Sequence, residues 1–163
     1  MFGTLALNNS DLLILILICF FAGLIRGFSG FGLSAFVMSL ALTIIPPIEL
    51  IPVCWWMEFV ASVFMIRNGW KDSDKKISII LWLGAVFGLP IGIALTTILD
   101  LQTSKIVALV LILILALILL RNFKIQFLST SVGTISSGVF AGVATGLASI
   151  GGMIVAIYVL ASQ

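Results

Sequence analysis

The chain contains no histidine, and only 9% of its 163 residues are charged. Without histidine there is no imidazole base for a nucleophile, no histidine-ligated zinc or haem, and no imidazole pH switch. Eight Lys/Arg and six Asp/Glu cannot cover the surface of a soluble domain, in which roughly 25% of residues are charged. The composition equally excludes disorder, which needs low hydrophobicity. Cysteine is scarce as well: Cys19 and Cys54 are the two, both inside apolar runs, and they read as small apolar residues rather than a disulfide or metal site. The net charge of +2 and the lack of a basic stretch interleaved with aromatics exclude a nucleic-acid partner. No cofactor is implied, and no cleavable signal peptide is evident, since the first ten residues carry no Lys or Arg.

What the chain has is apolar length. Hydrophobic residues make up 62% of it, in runs long enough to make a lipid bilayer their solvent. Five stretches stand out: 12–45, 48–66, 77–99, 106–120 and 132 to the end. Runs of this length fit helices better than barrel strands, so an all-α polytopic membrane protein is expected, in a single membrane domain over 1–163. The first stretch is too long for one span and too short for two. Arg26-Gly27-Phe28-Ser29-Gly30-Phe31-Gly32 lies near its middle. Three glycines there weaken a helix by about 1 kcal/mol each, which predicts a break and two short helices meeting inside the membrane.

Basic residues are unevenly placed. Arg67, Lys71, Lys75 and Lys76 lie in one loop and Arg121 and Lys124 in another two spans away, whereas the loop between holds Lys105 alone. The asymmetry predicts that loops 67–76 and 121–131 face the cytoplasm.

The sequence also repeats itself at an offset of 119: Phe21 to Gly32 aligns without gaps on Phe140 to Gly151, with five of twelve positions identical. Chance similarity of glycine-rich membrane segments is the alternative. We expect a first repeat over 12–120 and the start of a second over 131–163, both with glycine-broken helical hairpins. Three spans between the hairpins make the repeat inverted, an arrangement common in secondary transporters. Glycines four apart have a plainer meaning, a flat face for helix packing. That is the preferred reading of Gly84, Gly88 and Gly92. Gly27–Gly32 and Gly146–Gly152 instead read as breaks that line a substrate, because they depart from four-residue spacing and carry Ser29 and Ser149.

The motif Arg26 to Gly32, with Asn68-Gly69-Trp70, the helix segment Gly84 to Gly92, and Gly142 to Gly152 followed by Tyr158, resembles the sulfite exporter TauE/SafE family of bacterial membrane transporters. The resemblance implies a multi-pass inner-membrane protein that moves small anions such as sulfite or organosulfonates. Family members have two complete halves. The chain therefore resembles a family member with a truncated second half, and either a missing C-terminal half or a homo-oligomeric partner is expected to complete it. In the family the second motif continues from its paired glycines into prolines; here Met153 and Ile154 follow Gly151-Gly152.

Charges inside the spans are expensive, about 2.5–3.5 kcal/mol at a helix centre on insertion scales. Arg26 stands just before the first break and Glu58 near the middle of 48–66. Arg26 either snorkels to the headgroups or turns inward to hold an anion; Glu58 forms a structural salt bridge, packs protonated, or serves that site by pairing with Arg26 or carrying a proton. As the only acidic residue near the centre of a span, Glu58 is the expected partner of Arg26. Trp55 and Trp56 lie too deep for an interfacial belt and fit a pathway wall. The expected substrate-binding set is Arg26, Gly27, Ser29, Gly30, Gly32, Glu58, Ser149, Gly151 and Gly152. A secondary transporter of small anions is the first reading and a non-transporting membrane subunit or remnant the second. An enzyme is remote, since no nucleophile–base pair is present.

Overall fold

The computed structural model describes residues 8–72, 74–121 and 130–162, with side chains except at 67–72. The Trp70 and Lys71 side chains and Lys124 fall outside that description. Among the described residues seven helices follow one another: α1 (Asn9–Ser29), α2 (Leu33–Ala41), α3 (Pro47–Asp72), α4 (Lys75–Ile98), α5 (Leu101–Arg121), α6 (Ser131–Ala148) and α7 (Gly151–Ala161). No strand occurs among the described residues. Five of these described helices are long and apolar enough to cross a membrane: α1, α3 over Pro47–Ile66, α4, α5 and α6. The chain is an all-α polytopic membrane protein.

The ends of the helices follow local chemistry. Asp74 caps α4 by accepting from the N–H groups of Lys76 (2.9 Å) and Ile77 (3.3 Å). Thr130 caps α6 by accepting from Gly133 N at 3.1 Å. Asp100, between α4 and α5, accepts from Thr103, whose hydroxyl and N–H hold its carboxyl below the usual range.

The first long stretch is indeed broken, but not in equal halves. Helix α1 runs straight through Gly27 and ends at Ser29. Its 21 residues extend about 31 Å, enough to cross a bilayer core, whereas α2 has nine. Gly27 fits an α-helix without difficulty; the break needs left-handed backbone, which Gly30 (φ 77°) and Gly32 (φ 87°) supply. The last stretch breaks likewise, at Ser149 between α6 and α7. Ser149 is the residue aligned with Gly30 at the offset of 119. It too is a left-handed helix cap, with φ 57°.

Two packing units surround these breaks. In one, α2 is the most enclosed helix: Leu33, Ser34, Val37, Met38 and Ala41 are buried, with Leu50 and Cys54 of α3 in the same cluster. Cys54 is buried and unpaired with Cys19; both thiols are free. In the other, α4 and α6 lie backbone to backbone. A Cβ on Gly88 would stand 2.1 Å from the carbonyl oxygen of Val139, and one on Gly142 would stand 2.2 Å from that of Ala85. The Thr96 hydroxyl fastens this seam, 2.9 Å from the Gly146 carbonyl. The side chains facing away from both units are large and apolar: Phe28, Phe64 and Leu120 are among the most exposed, as a lipid-facing surface requires.

Candidate functional site

Arg26 sits in the last turn of α1, where a cation complements the negative end of the helix dipole. Its side chain turns inward toward α3 and is 15% exposed. Nη1 donates to the carbonyl of Gly30, so the break itself orients the guanidinium. Nη2 lies 3.2 Å from Oε2 of Glu58 and 3.4 Å from the Ser62 hydroxyl. Nε is buried and has no hydrogen-bond partner among the described residues. A guanidinium offers five donors, and this one is left unused.

The other oxygen of Glu58 has a different partner. Oε1 accepts from Ser34 N at 3.3 Å and from Ser34 Oγ at 3.0 Å. Ser34 lies in the first turn of α2, whose N-cap, Gly32, has no side chain to satisfy the free N–H groups there. Glu58 of α3 therefore caps α2 from outside, placing a carboxylate at the positive end of that helix. One carboxylate joins α1, α2 and α3. The pair is also costly to disrupt, because removing one partner strands the other charge in apolar surroundings.

Beside this pair opens a cavity of about 660 Å³, within the range of small-molecule sites. It is lined mainly by α3 and α4, with residues of α6 and α7. Its walls are Pro52, Trp55, Trp56 and Phe59 from α3 and Trp82, Ala85, Val86 and Leu89 from α4. Gly142 and Thr145 of α6, Ser149 at the break, and Gly151 and Gly152 of α7 complete it. Arg26 and Glu58 are the charged residues that line it. The rest of the wall is apolar or aromatic, apart from two hydroxyls. That of Thr145 lies 2.7 Å from the Ala141 carbonyl. That of Ser149 has no partner among the described residues, although the residue is only 6% exposed.

Of the nine residues expected at a site, the cavity brings together Arg26, Glu58, Ser149, Gly151 and Gly152. Gly27, Ser29, Gly30 and Gly32 lie outside its wall. Gly27 is an open helical position with nothing within 4 Å of its would-be Cβ. The Ser29 hydroxyl is 2.8 Å from the Ile25 carbonyl and also reaches that of Phe31 within the turn. Gly30 acts through its carbonyl on Arg26, and Gly32 through the start of α2. Gly151 is close-packed: a Cβ there would fall 2.0 Å from Thr145 Oγ1. Trp55 and Trp56 line the cavity. Sequence reasoning missed Ser34, Ser62, Trp82 and Thr145. Ser34 and Ser62 carried one signal, being polar residues within apolar spans.

No group of three or more potential metal ligands occurs among the described residues. Comparison with known proteins agrees with this architecture. Residues 15–163 match the family described as sulfite exporter TauE/SafE. No curated protein and no solved structure matches the chain. The chain belongs to the sulfite exporter TauE/SafE family, multi-pass membrane transporters rather than enzymes.

Proposed function

We propose that the protein is a secondary transporter that exports a small anion across the bacterial inner membrane, with sulfite or an organosulfonate as substrate. The observation that carries this reading is the inward-facing Arg26, held by Glu58 at the wall of an otherwise apolar cavity. Arg26 binds the oxyanion, and its planar fork suits bidentate contact with two sulfonate oxygens. The substrate competes with Glu58 for it. Ser149, also in the cavity wall, donates a further hydrogen bond. The indoles of Trp55, Trp56 and Trp82 favour a substrate with an organic tail over a bare oxyanion, because burying apolar surface there adds binding. The two breaks belong to repeats related by inversion, and loops 67–76 and 121–131 face the cytoplasm.

Flux of a labelled organosulfonate into proteoliposomes tests the reading. The wild-type chain is expected to exceed empty liposomes. Arg26→Lys keeps the charge but loses the fork, so flux falls roughly tenfold, the loss of about 1.4 kcal/mol. Arg26→Ala abolishes it. Normal flux in Arg26→Ala, with the protein present in the membrane, contradicts the assignment.

A further inference from the structure

Glu58 is bound as an anion by Arg26 on one side and by Ser34 on the other. When a substrate anion takes Arg26, that arrangement holds one negative charge too many. Among the described residues that line the cavity, Arg26 is the one cation, and no second is there to take over Glu58. From α4, α6 and α7 it presents Trp82, Ala85, Val86, Leu89, Thr145 and Ser149, none of them charged. From α2 comes the uncharged Ser34, and the nearest titratable group on α3 itself is Cys54, one turn away. An ionised carboxylate left among indoles and aliphatic carbons costs several kcal/mol unless it is neutralised.

We propose that Glu58 takes up one proton for each anion that binds, so that the protein moves an anion and a proton together. The inference rests on Arg26 being the anion site. The step balances: the anion replaces Glu58 on Arg26, and a proton from water joins the displaced carboxylate, leaving the site as neutral as before. Ser34 is equipped for both states. Its hydroxyl donates to the carboxylate and, after protonation, accepts from the carboxyl O–H across the same 3.0 Å contact. Helix α2 keeps its cap throughout. Release reverses the sequence: the proton leaves, Glu58 returns to Arg26, and the anion is expelled by an internal competitor.

Methanesulfonate is a suitable probe, since as the anion of a strong acid it takes up no proton itself. Its binding to the purified full chain in nanodiscs is measured calorimetrically between about pH 5.5 and 8.5, at constant ionic strength and in buffers of different ionisation enthalpy. Wild-type protein should take up a proton with the anion, and its affinity should fall as pH rises, by up to about tenfold per pH unit where a whole proton is taken up. In Glu58→Gln the amide oxygen still caps Ser34, but there is no charge to displace. Binding should lose its pH slope and be at least tenfold tighter than wild type at the alkaline end. Wild-type binding with flat affinity and no proton uptake overturns the coupling and leaves the Arg26 site standing. Absence of methanesulfonate binding in both proteins at every pH removes the anion site, and the coupling with it.

Discussion

Ser149 holds a left-handed backbone conformation that costs a serine about 1–2 kcal/mol, where glycine would hold it freely. Its aligned counterpart in the first break is a glycine. Strain retained at a cavity wall points to a use for the side chain, and here Ser149 lines the cavity while its hydroxyl has no partner among the described residues. Ser149→Gly should therefore raise the thermal midpoint, by the equivalent of about 1 kcal/mol, while weakening organosulfonate binding. Ser149→Ala keeps the strain and loses the hydroxyl, so it should weaken binding without the gain in stability. Unchanged binding in both variants would mean that the hydroxyl is idle. At this scale the sequence was partly legible. Arg26 and Glu58 stood out because charge is rare in such spans. Their pairing was expected by elimination, since Glu58 is the one acidic residue near the centre of a span, and the structure places them 3.2 Å apart. The second role of Glu58, capping α2, was not legible. It depends on three helices meeting, and no local pattern encodes that.

Glycine has two meanings in this fold, and elements rather than residues separate them. Gly84, Gly88 and Gly92 of α4 interlock with Gly138, Gly142 and Gly146 of α6 at distances that leave no room for a Cβ. Spacing of four made that seam readable from sequence. Gly146 proved to belong to the seam rather than to the break, because it continues the same stripe. Gly30 and Gly32 end and restart helices, whereas Gly23 and Gly27, spaced like packing glycines, face open positions. Spacing alone could not say which stripe has a partner. Substitutions should divide along the same line. Gly88→Ala forces α4 away from the Val139 carbonyl and should destabilise the protein by about 1–3 kcal/mol or more. Gly23→Ala meets nothing and replaces a poor helix former, so it should be neutral or stabilise by up to ~1 kcal/mol. Thermal unfolding in detergent measures both; equal effects would mean that the α4–α6 seam is not tight.

At the scale of the molecule, composition alone announced a helical membrane protein, and the family match over 15–163 agrees. The lengths of the helices around the first break were not announced. A hydrophobic run gives total length, and the placement of Gly30 and Gly32, not of Gly27, divides it into 21 and nine residues. The cavity was not legible either, since its walls come from segments as distant as Pro52 and Gly152. Functionally the molecule joins a closely packed α4–α6 pair to a unit around α2 that holds the ion pair, and the cavity lies where they meet. The central claim is that this cavity receives an oxyanion at Arg26. Selenate, a heavier analogue of a sulfur oxyanion, makes the test direct through anomalous scattering from crystals of the protein soaked with it. The account predicts a selenium peak within about 4 Å of the Arg26 guanidinium nitrogens, with Glu58 moved off Nη2. A cavity without selenium and an intact Arg26–Glu58 pair, at selenate concentrations that support transport, would contradict it.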